Sequence, residues 1–391
     1  MPNSIFSKFA QIGIFPLGNI HSTQTPAMEC TTFIFDKAHL LPELNQKNLI
    51  KKTSHAFNNL YYGGVDTPTT RRLASKLAEI EKGYSSIVTP SGQSAINLLL
   101  TTFVKSGDHV LVFDTVIYST KWLLDHYQRR GVAVEYLTPK DINILDLKLK
   151  RETKLVFLEN PGAITFELLD ISKIVKKCSR HQALVAVDNT WAASTFQHPL
   201  ASGADISLIS MSKTHAAIEG VSLGALITRR NDLYARIKST SALIGNHVSS
   251  HTCAAALRAL STLGARLCFQ MKTTLQIITH LKTAPLCRTI AHPTLQYSSN
   301  KLQQLNINGF NSLVTFELSC SRQDLIRRIN RLKLIKNGYG WGGPISLINT
   351  IDTNNLPSAK RLGLGTSCAR LYVGLEDPRD LLNDLDQMLA I

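Results

Sequence analysis

From about residue 70 the chain alternates short apolar runs with segments of helical spacing, and this rhythm restricts the fold more than any other feature. Leu73, Leu77 and Ile80 give residues 70–82 the spacing of an amphipathic helix, and 86–89 read as a strand. The pattern repeats, with helices expected at 96–104, 122–130 and 171–180 and strands at 109–113, 133–136, 155–158, 184–187 and 206–209. Strands of this length separated by helices form parallel crossover units, so an α/β fold is predicted: a mostly parallel, doubly wound sheet in a large domain. A helical region over 249–281, shorter strands including 312–318 and 370–373, and a closing helix at 378–389 describe a smaller C-terminal α+β domain. A chain of 391 residues exceeds one core's usual reach, and the expected division is an N-terminal arm 1–62, a large domain 63–255 and a C-terminal domain 256–391.

In doubly wound sheets ligands bind beyond the carboxyl ends of the strands, where Ser91, Tyr118, Asn160, Asp188 and Lys213 fall. The run at 184–187 leads into Asp188-Asn189-Thr190, and the run at 206–209 leads into Ser210-Met211-Ser212-Lys213. A lone lysine after a strand is ordinarily solvated, and a lone aspartate at a strand end is ordinarily a turn former or cap. Together they match what pyridoxal 5'-phosphate requires: an amine for the aldehyde, a carboxylate for the pyridine nitrogen, and serine hydroxyls for the phosphate. Thr89-Pro90-Ser91-Gly92-Gln93-Ser94-Ala95 supplies a small-residue turn into a helix, whose first backbone N–H groups suit an anion. Such a turn is by itself commonly just a cap, but Ser210 and Ser212 could close on the same phosphate.

Forty-three Lys and Arg against 28 Asp and Glu leave a net charge of +15, which favours anionic partners. The excess is scattered except where Arg322, Arg327, Arg328, Arg331, Lys333 and Lys336 interleave with Leu325, Ile326 and Ile329, the pattern of an amphipathic helix running into a strand. No zinc-finger spacing or aromatic-basic ribonucleoprotein pattern accompanies it, so no nucleic-acid partner is expected, and no apolar run is long enough to span a membrane. The seven cysteines never form C-x-x-C, which argues against a disulfide framework and a zinc site and for a reducing cytoplasmic setting. The first 28 residues, with Lys8 and no arginine, read as an arm packing on the protein or on a partner subunit.

With these residues in view, the chain resembles the cysteine and methionine metabolism family of pyridoxal-phosphate enzymes, of fold type I, and within it the bacterial cystathionine β-lyases. The resemblance runs from Tyr62 to Leu371-Tyr372-Val373-Gly374-Leu375-Glu376-Asp377. Three stretches resemble the β-lyase branch: Leu158-Glu159-Asn160-Pro161-Gly162-Ala163-Ile164-Thr165-Phe166-Glu167, Asp188-Asn189-Thr190-Trp191, and Tyr339-Gly340-Trp341-Gly342-Gly343. The resemblance implies that Lys213 is the Schiff-base lysine and that Asp188 partners the ring nitrogen. Gly92, Gln93, Ser210 and Ser212 would hold the phosphate, and Tyr62 would reach the phosphate of a neighbouring subunit. Arg370 would clamp the substrate carboxylate, with Tyr339, Trp341 and Asn160 in the substrate pocket and Tyr118 in a catalytic position. A homo-oligomer, dimer or tetramer, is implied, together with cleavage of cystathionine or a related cysteine thioether to a thiol, pyruvate and ammonia. A γ-elimination or γ-replacement enzyme on the same scaffold, and a non-catalytic relative, are the alternatives.

The chain also departs from the family pattern. Gly64 stands where an arginine to the neighbouring phosphate is expected, with Arg71 or Arg72 as candidate substitutes. The ring-stacking tyrosine falls at Ile117, with Tyr118 one place later. Thr214 replaces a tyrosine, Ala217-Ile218-Glu219-Gly220 replaces Gly-His-Ser-Asp, and Ile345 replaces a glutamate.

Overall fold

The computed structural model describes residues 4–40, 60–354 and 356–390; parts of the expected arm, 1–3 and 41–59, lie outside them. The arm begins with a helix, Ile5–Ala10, and a short antiparallel hairpin, β1 (Phe15–Leu17) and β2 (Ile20–Ser22). It packs on its own chain: Phe9 and Ile12 are buried in one cluster with Leu73, Leu77, Leu257 and Leu263.

The large sheet contains β3 (Ser85–Thr89), β4 (His109–Phe113), β5 (Ala133–Leu137), β6 (Thr153–Glu159), β7 (Leu184–Asp188), β8 (Ile206–Ser210) and β9 (Gly224–Thr228). Their spatial order is β3-β9-β8-β7-β6-β4-β5, and β9 alone runs antiparallel to its neighbours. The doubly wound expectation therefore holds, and the carboxyl ends of β3, β4, β6, β7 and β8 share one edge. Helix Pro68–Ile80 starts at a Thr67 capping box with proline in its first turn, and helix Gly92–Phe103 buries Ala95, Leu98 and Leu99 against the sheet.

The second sheet has the order β10 (Cys287–Ala291), β11 (Leu313–Leu318), β14 (Cys368–Tyr372), β13 (Leu347–Ile351), β12 (Lys336–Asn337), antiparallel except for the β12–β13 pair. Helices Leu263–Thr283, Arg322–Ile329 and Pro378–Leu389 cover it, with Ile277, Leu325, Leu381 and Leu385 in its core.

Two features differ from the sequence reading. The stretch 249–281 is two helices, Ser250–Ser261 and Leu263–Thr283, broken at Thr262. The Thr262 hydroxyl donates to the Ala259 carbonyl and accepts from Arg266 Nε, while Arg266 Nη2 donates to the same carbonyl at 2.9 Å. Side chains thus take an acceptor that a continuous helix would use. The expected junction at 255/256 falls inside helix Ser250–Ser261, whose Cys253, Leu257 and Leu260 belong to the cluster that also holds Ile209 and Ala225 of the large sheet.

Among the described residues no helix is long and apolar enough to cross a membrane, and all seven cysteines are free. Because Phe9 is fully buried, Phe9→Ala should lower unfolding free energy by about 3 kcal/mol in urea titration. Unchanged stability would contradict the packing of the arm on its own chain.

Candidate active site

The shared edge of the large sheet opens into a cleft of about 490 Å³, lined by Ser91, Gly92, Gln93, Asp188, Ser210, Lys213 and residues of the second sheet. Its first wall is the turn after β3. Ser91 caps helix Gly92–Phe103 by accepting from Ser94 N at 3.0 Å, so the amides of Gly92 and Gln93 in the first turn keep no intrahelical acceptor. Gly92 approaches Ser210 so closely that an added Cβ would stand 2.5 Å from Ser210 Cβ and 2.8 Å from its Oγ. Only glycine lets the backbone and that hydroxyl meet here. Two bare amides, a hydroxyl and the positive end of a helix make an anion seat.

Asp188 ends β7. Thr190 N and Oγ1 donate to its Oδ1 at 3.0 and 2.5 Å, and Thr190 Oγ1 also accepts from Ser210 N at 2.8 Å, tying β7 to β8. Both of these donors go to Oδ1, which leaves Oδ2 for the cleft. Burial pushes the Asp188 pKa up, while the Thr190 bonds and the charge of Lys213 pull it back. Such a carboxylate gains most from a cationic partner.

Glu159 ends β6 directly across from Asp188 in the parallel register and lines the same cleft. Its Oε2 accepts from Ile117 N at 2.8 Å, fixing the start of helix Tyr118–Gln128. Burial, reinforced by the neighbouring Asp188 carboxylate, raises its pKa well above the usual range.

Lys213 follows β8, half-buried, with Nζ 6.0 Å from the centroid of the Trp341 ring. Burial, with the charge of Arg370, lowers its pKa against the pull of Asp188 and Glu159, which shifts the balance toward the neutral amine. Its backbone is held from two sides. Arg266 Nη1 donates to the Thr214 carbonyl at 2.8 Å, and Gly342, at φ +107, lies so near that an added Cβ would stand 2.3 Å from Lys213 C and Thr214 N.

Arg370 projects from β14 and is only 6% exposed, yet among the described residues its guanidinium makes one hydrogen bond, a long 3.4 Å contact to the Tyr339 carbonyl. Burial lowers its pKa. A desolvated guanidinium with so few acceptors suits a planar carboxylate. Tyr339, Trp341, Trp191 and Tyr118 complete the walls.

The structure therefore brings Lys213, Asp188, Gly92, Gln93, Ser210, Ser212, Arg370, Tyr339, Trp341 and Tyr118 around one cleft. Two of the expected residues stand apart. Asn160 is fully buried and does not line the cleft: its Oδ1 accepts from Leu169 N at 2.8 Å and its Nδ2 donates to Gln197 Oε1 at 3.0 Å, so its amide braces the loop after β6 rather than a substrate. Tyr62 is 52% exposed and lies outside the cleft of its own chain. Ser212 reaches the cleft, but its hydroxyl donates to the Leu223 carbonyl at 3.1 Å. Arg71 pairs with Asp66 and Arg72 donates to the Ile14 carbonyl, so neither enters this cleft. Sequence reasoning missed Glu159 and Thr190. Glu159 was within reach, because the strand-end rule that selects Asp188 selects it equally.

Known proteins share this architecture. The family model for Cys/Met metabolism PLP-dependent enzymes matches residues 11–390, and the chain belongs to that family. The L-alanine/L-glutamate racemase of Wolbachia pipientis is 31% identical over 84% of this chain and 82% of its own. The cystathionine beta-lyase of Escherichia coli K12 is 28% identical over 87% of this chain and 90% of its own. The crystal structure of cystathionine gamma-lyase from Lactobacillus plantarum complexed with L-serine superposes with a TM-score of 0.86, at 25% identity, over 99% of this chain and 98% of that one. Three relatives thus carry three different activities on one fold.

The cofactor is pyridoxal 5'-phosphate, and the cleft fits it. Gly92, Gln93 and Ser210 offer donors for a phosphate, Asp188 Oδ2 has no donor among the described residues, and Lys213 has a depressed pKa. Among the described residues no cluster of His, Cys, Asp or Glu is arranged to hold a metal.

The Glu159 pKa has a measurable consequence in cofactor-free protein. Raised in the folded state, it contributes stability below the ordinary glutamate value of about 4.3 that is lost as pH climbs through the folded value. Glu159→Gln keeps an acceptor for Ile117 N and removes the titration. Its unfolding midpoint should therefore gain on wild type as pH goes from about 5 to about 8. Parallel pH profiles for the two proteins would contradict the burial of an ionisable Glu159.

Proposed function

We propose that the protein is a carbon–sulfur β-lyase that cleaves a cysteine thioether, cystathionine or a relative of it, to a thiol, pyruvate and ammonia. The observation that carries the reading is the convergence of Asp188, Lys213 and Arg370 on one cleft. Trp191 and Trp341 line that cleft, and the resemblance of their stretches to the β-lyase branch favours β- over γ-elimination.

Arg370 pairs with the substrate α-carboxylate and sets the orientation of the α-carbon. Asp188 Oδ2 would hold positive charge at the pyridine nitrogen of the bound cofactor. The cofactor, when bound, supplies an electron sink for the pair freed at the α-carbon. Lys213 acts as a neutral amine, which its depressed pKa favours, taking the α-proton and delivering it toward the departing sulfur. The indoles of Trp191 and Trp341 keep bulk water from the reacting carbon. Tyr62, half-exposed on its own chain, is free to serve the phosphate of a neighbouring copy, the role that the family resemblance implies and one that would make the working unit at least a dimer.

The racemase relative favours a second reading, in which an α-proton is removed from one face and returned to the other. Lys213 and the Tyr118 hydroxyl are both proton carriers lining the cleft.

The test is product analysis on protein loaded with pyridoxal phosphate. Cystathionine or another cysteine thioether should yield pyruvate, borohydride should fix the cofactor to wild type, and Lys213→Ala should lose both the fixation and at least about 10³-fold in turnover. Appearance of 2-oxobutyrate instead would establish γ-elimination. D-alanine from L-alanine, with no pyruvate from any thioether, would establish the racemase.

A further inference from the structure

Where helix Pro68–Ile80 packs on the large sheet lies a fully buried carboxyl, that of Glu81. It stands at the C-cap of that helix, the end at which the helix dipole disfavours negative charge. Burial adds a second cost by removing the group from water, and it raises the Glu81 pKa. Among the described residues no lysine or arginine pairs with it. What offsets both costs is hydrogen bonding. Asn189 Nδ2 donates to Oε1 and Oε2 at 3.1 and 3.2 Å, Ser207 Oγ donates to Oε2 at 2.8 Å, and the Ser194 hydroxyl beside them also favours the ionised form. For folding alone, a set of apolar side chains of the same shape would serve as well.

What Glu81 reaches is the underside of the cofactor site. Successive side chains of an extended chain point to opposite faces, so Asp188 turns to the cleft while Asn189, fully buried, turns to the other side. Asn189 is gripped there at three points: its N donates to the Leu208 carbonyl at 2.7 Å, and its Nδ2 donates to the Gln197 carbonyl at 3.1 Å as well as to Glu81. Ser207 lies in β8, the strand that leads to Lys213. Ser194 bonds His215 Nε2 at 2.8 Å, two residues beyond Lys213. Thr190 thus ties the strand ends from the cleft side, and Glu81 ties the same two strands from the buried side. An amide cannot take its place unchanged, because one of its two ends is a donor that would meet the Asn189 or Ser207 donor head-on.

We propose that Glu81 is a positioning residue for the reaction: through Asn189 it fixes the Asp188 carboxylate against the ring nitrogen of the bound cofactor. The inference rests on the assignment of Asp188 to that nitrogen, and it is independent of which substrate bond is cleaved. With Glu81 in place Asp188 keeps the ring cationic, and the ring charge repels a proton on the nitrogen that Lys213 shares with the cofactor. Without it Asp188 drifts, the ring loses its proton, and that nitrogen keeps its own proton to higher pH. The charged groups facing this nitrogen from the surrounding elements are Asp188, Glu159 and Arg370, and no variant at Glu81 or Asn189 alters them.

The test is a pH titration of the visible absorbance of protein loaded with pyridoxal phosphate, which reports protonation at Lys213 without turnover. Asp188→Asn sets the full upward shift of the midpoint. Glu81→Gln and Asn189→Ala should each raise the midpoint by at least about half a pH unit, less than Asp188→Asn does, and the double variant should shift it no further than the larger of the two singles. Phe9→Ala, in the same buried cluster as Ile80 but without a bond to this network, should lower the unfolding temperature and leave the midpoint where wild type has it. If Glu81→Gln does not fold, Asn189→Ala carries the comparison with Phe9→Ala.

A shift with Asp188→Asn but none with Glu81→Gln or Asn189→Ala would overturn the proposal and leave Asp188 in its role. Equal shifts in Phe9→Ala and Glu81→Gln would overturn it by reducing Glu81 to a contributor to folding. No shift with Asp188→Asn would bring down the Asp188 assignment and the proposal with it.

Discussion

The structure depends on holding a carboxylate and an amine at the ends of neighbouring parallel strands without letting them neutralise each other. Asp188 closes β7, and Lys213 follows β8 by three residues. Thr190 fastens both strand ends, bonding the Asp188 carboxylate and the Ser210 amide at once. The lysine is fixed by Gly342 above its peptide and by Arg266 at Thr214. With both groups immobile and desolvated, the acid is pushed up and the amine down, the condition in which each responds most strongly to a charged ring between them.

The second sheet is what turns this anchored pair into a site for amino acids. Arg370 reaches the cleft from β14, and the loop Tyr339 to Gly343 folds over Lys213 from the same side. The bond between Arg361 and Asp114, with Glu167 as a second acceptor, ties the second sheet's helix Pro357–Arg361 to the end of β4. The cleft is therefore lined from both sheets. Of the departures from the family pattern, Ile117 lines the cleft.

Much of this was legible in the chain because strand ends are set by local pattern. The strand at 109–113 and the helix at 378–389 coincide with the observed elements, and apolar alternation with helices identifies the doubly wound sheet. Asp188, Lys213 and Ser210 follow from the strand-end rule. What escaped depends on contacts distant in sequence. The break at Thr262 needs Arg266 to bond back to Ala259. Asn160 is diverted to Leu169 and Gln197 by the turn that follows it, while Glu159, one residue earlier, keeps the inward face of the strand. One residue along a strand reverses the face.

The central claim is that Asp188 holds charge on the ring nitrogen of the bound cofactor, and nitrogen NMR addresses it directly. With pyridoxal phosphate labelled at the ring nitrogen, wild type should show the chemical shift of a protonated pyridinium at neutral pH, and Asp188→Asn should move it to that of the unprotonated ring. An unprotonated nitrogen in wild type would contradict the account.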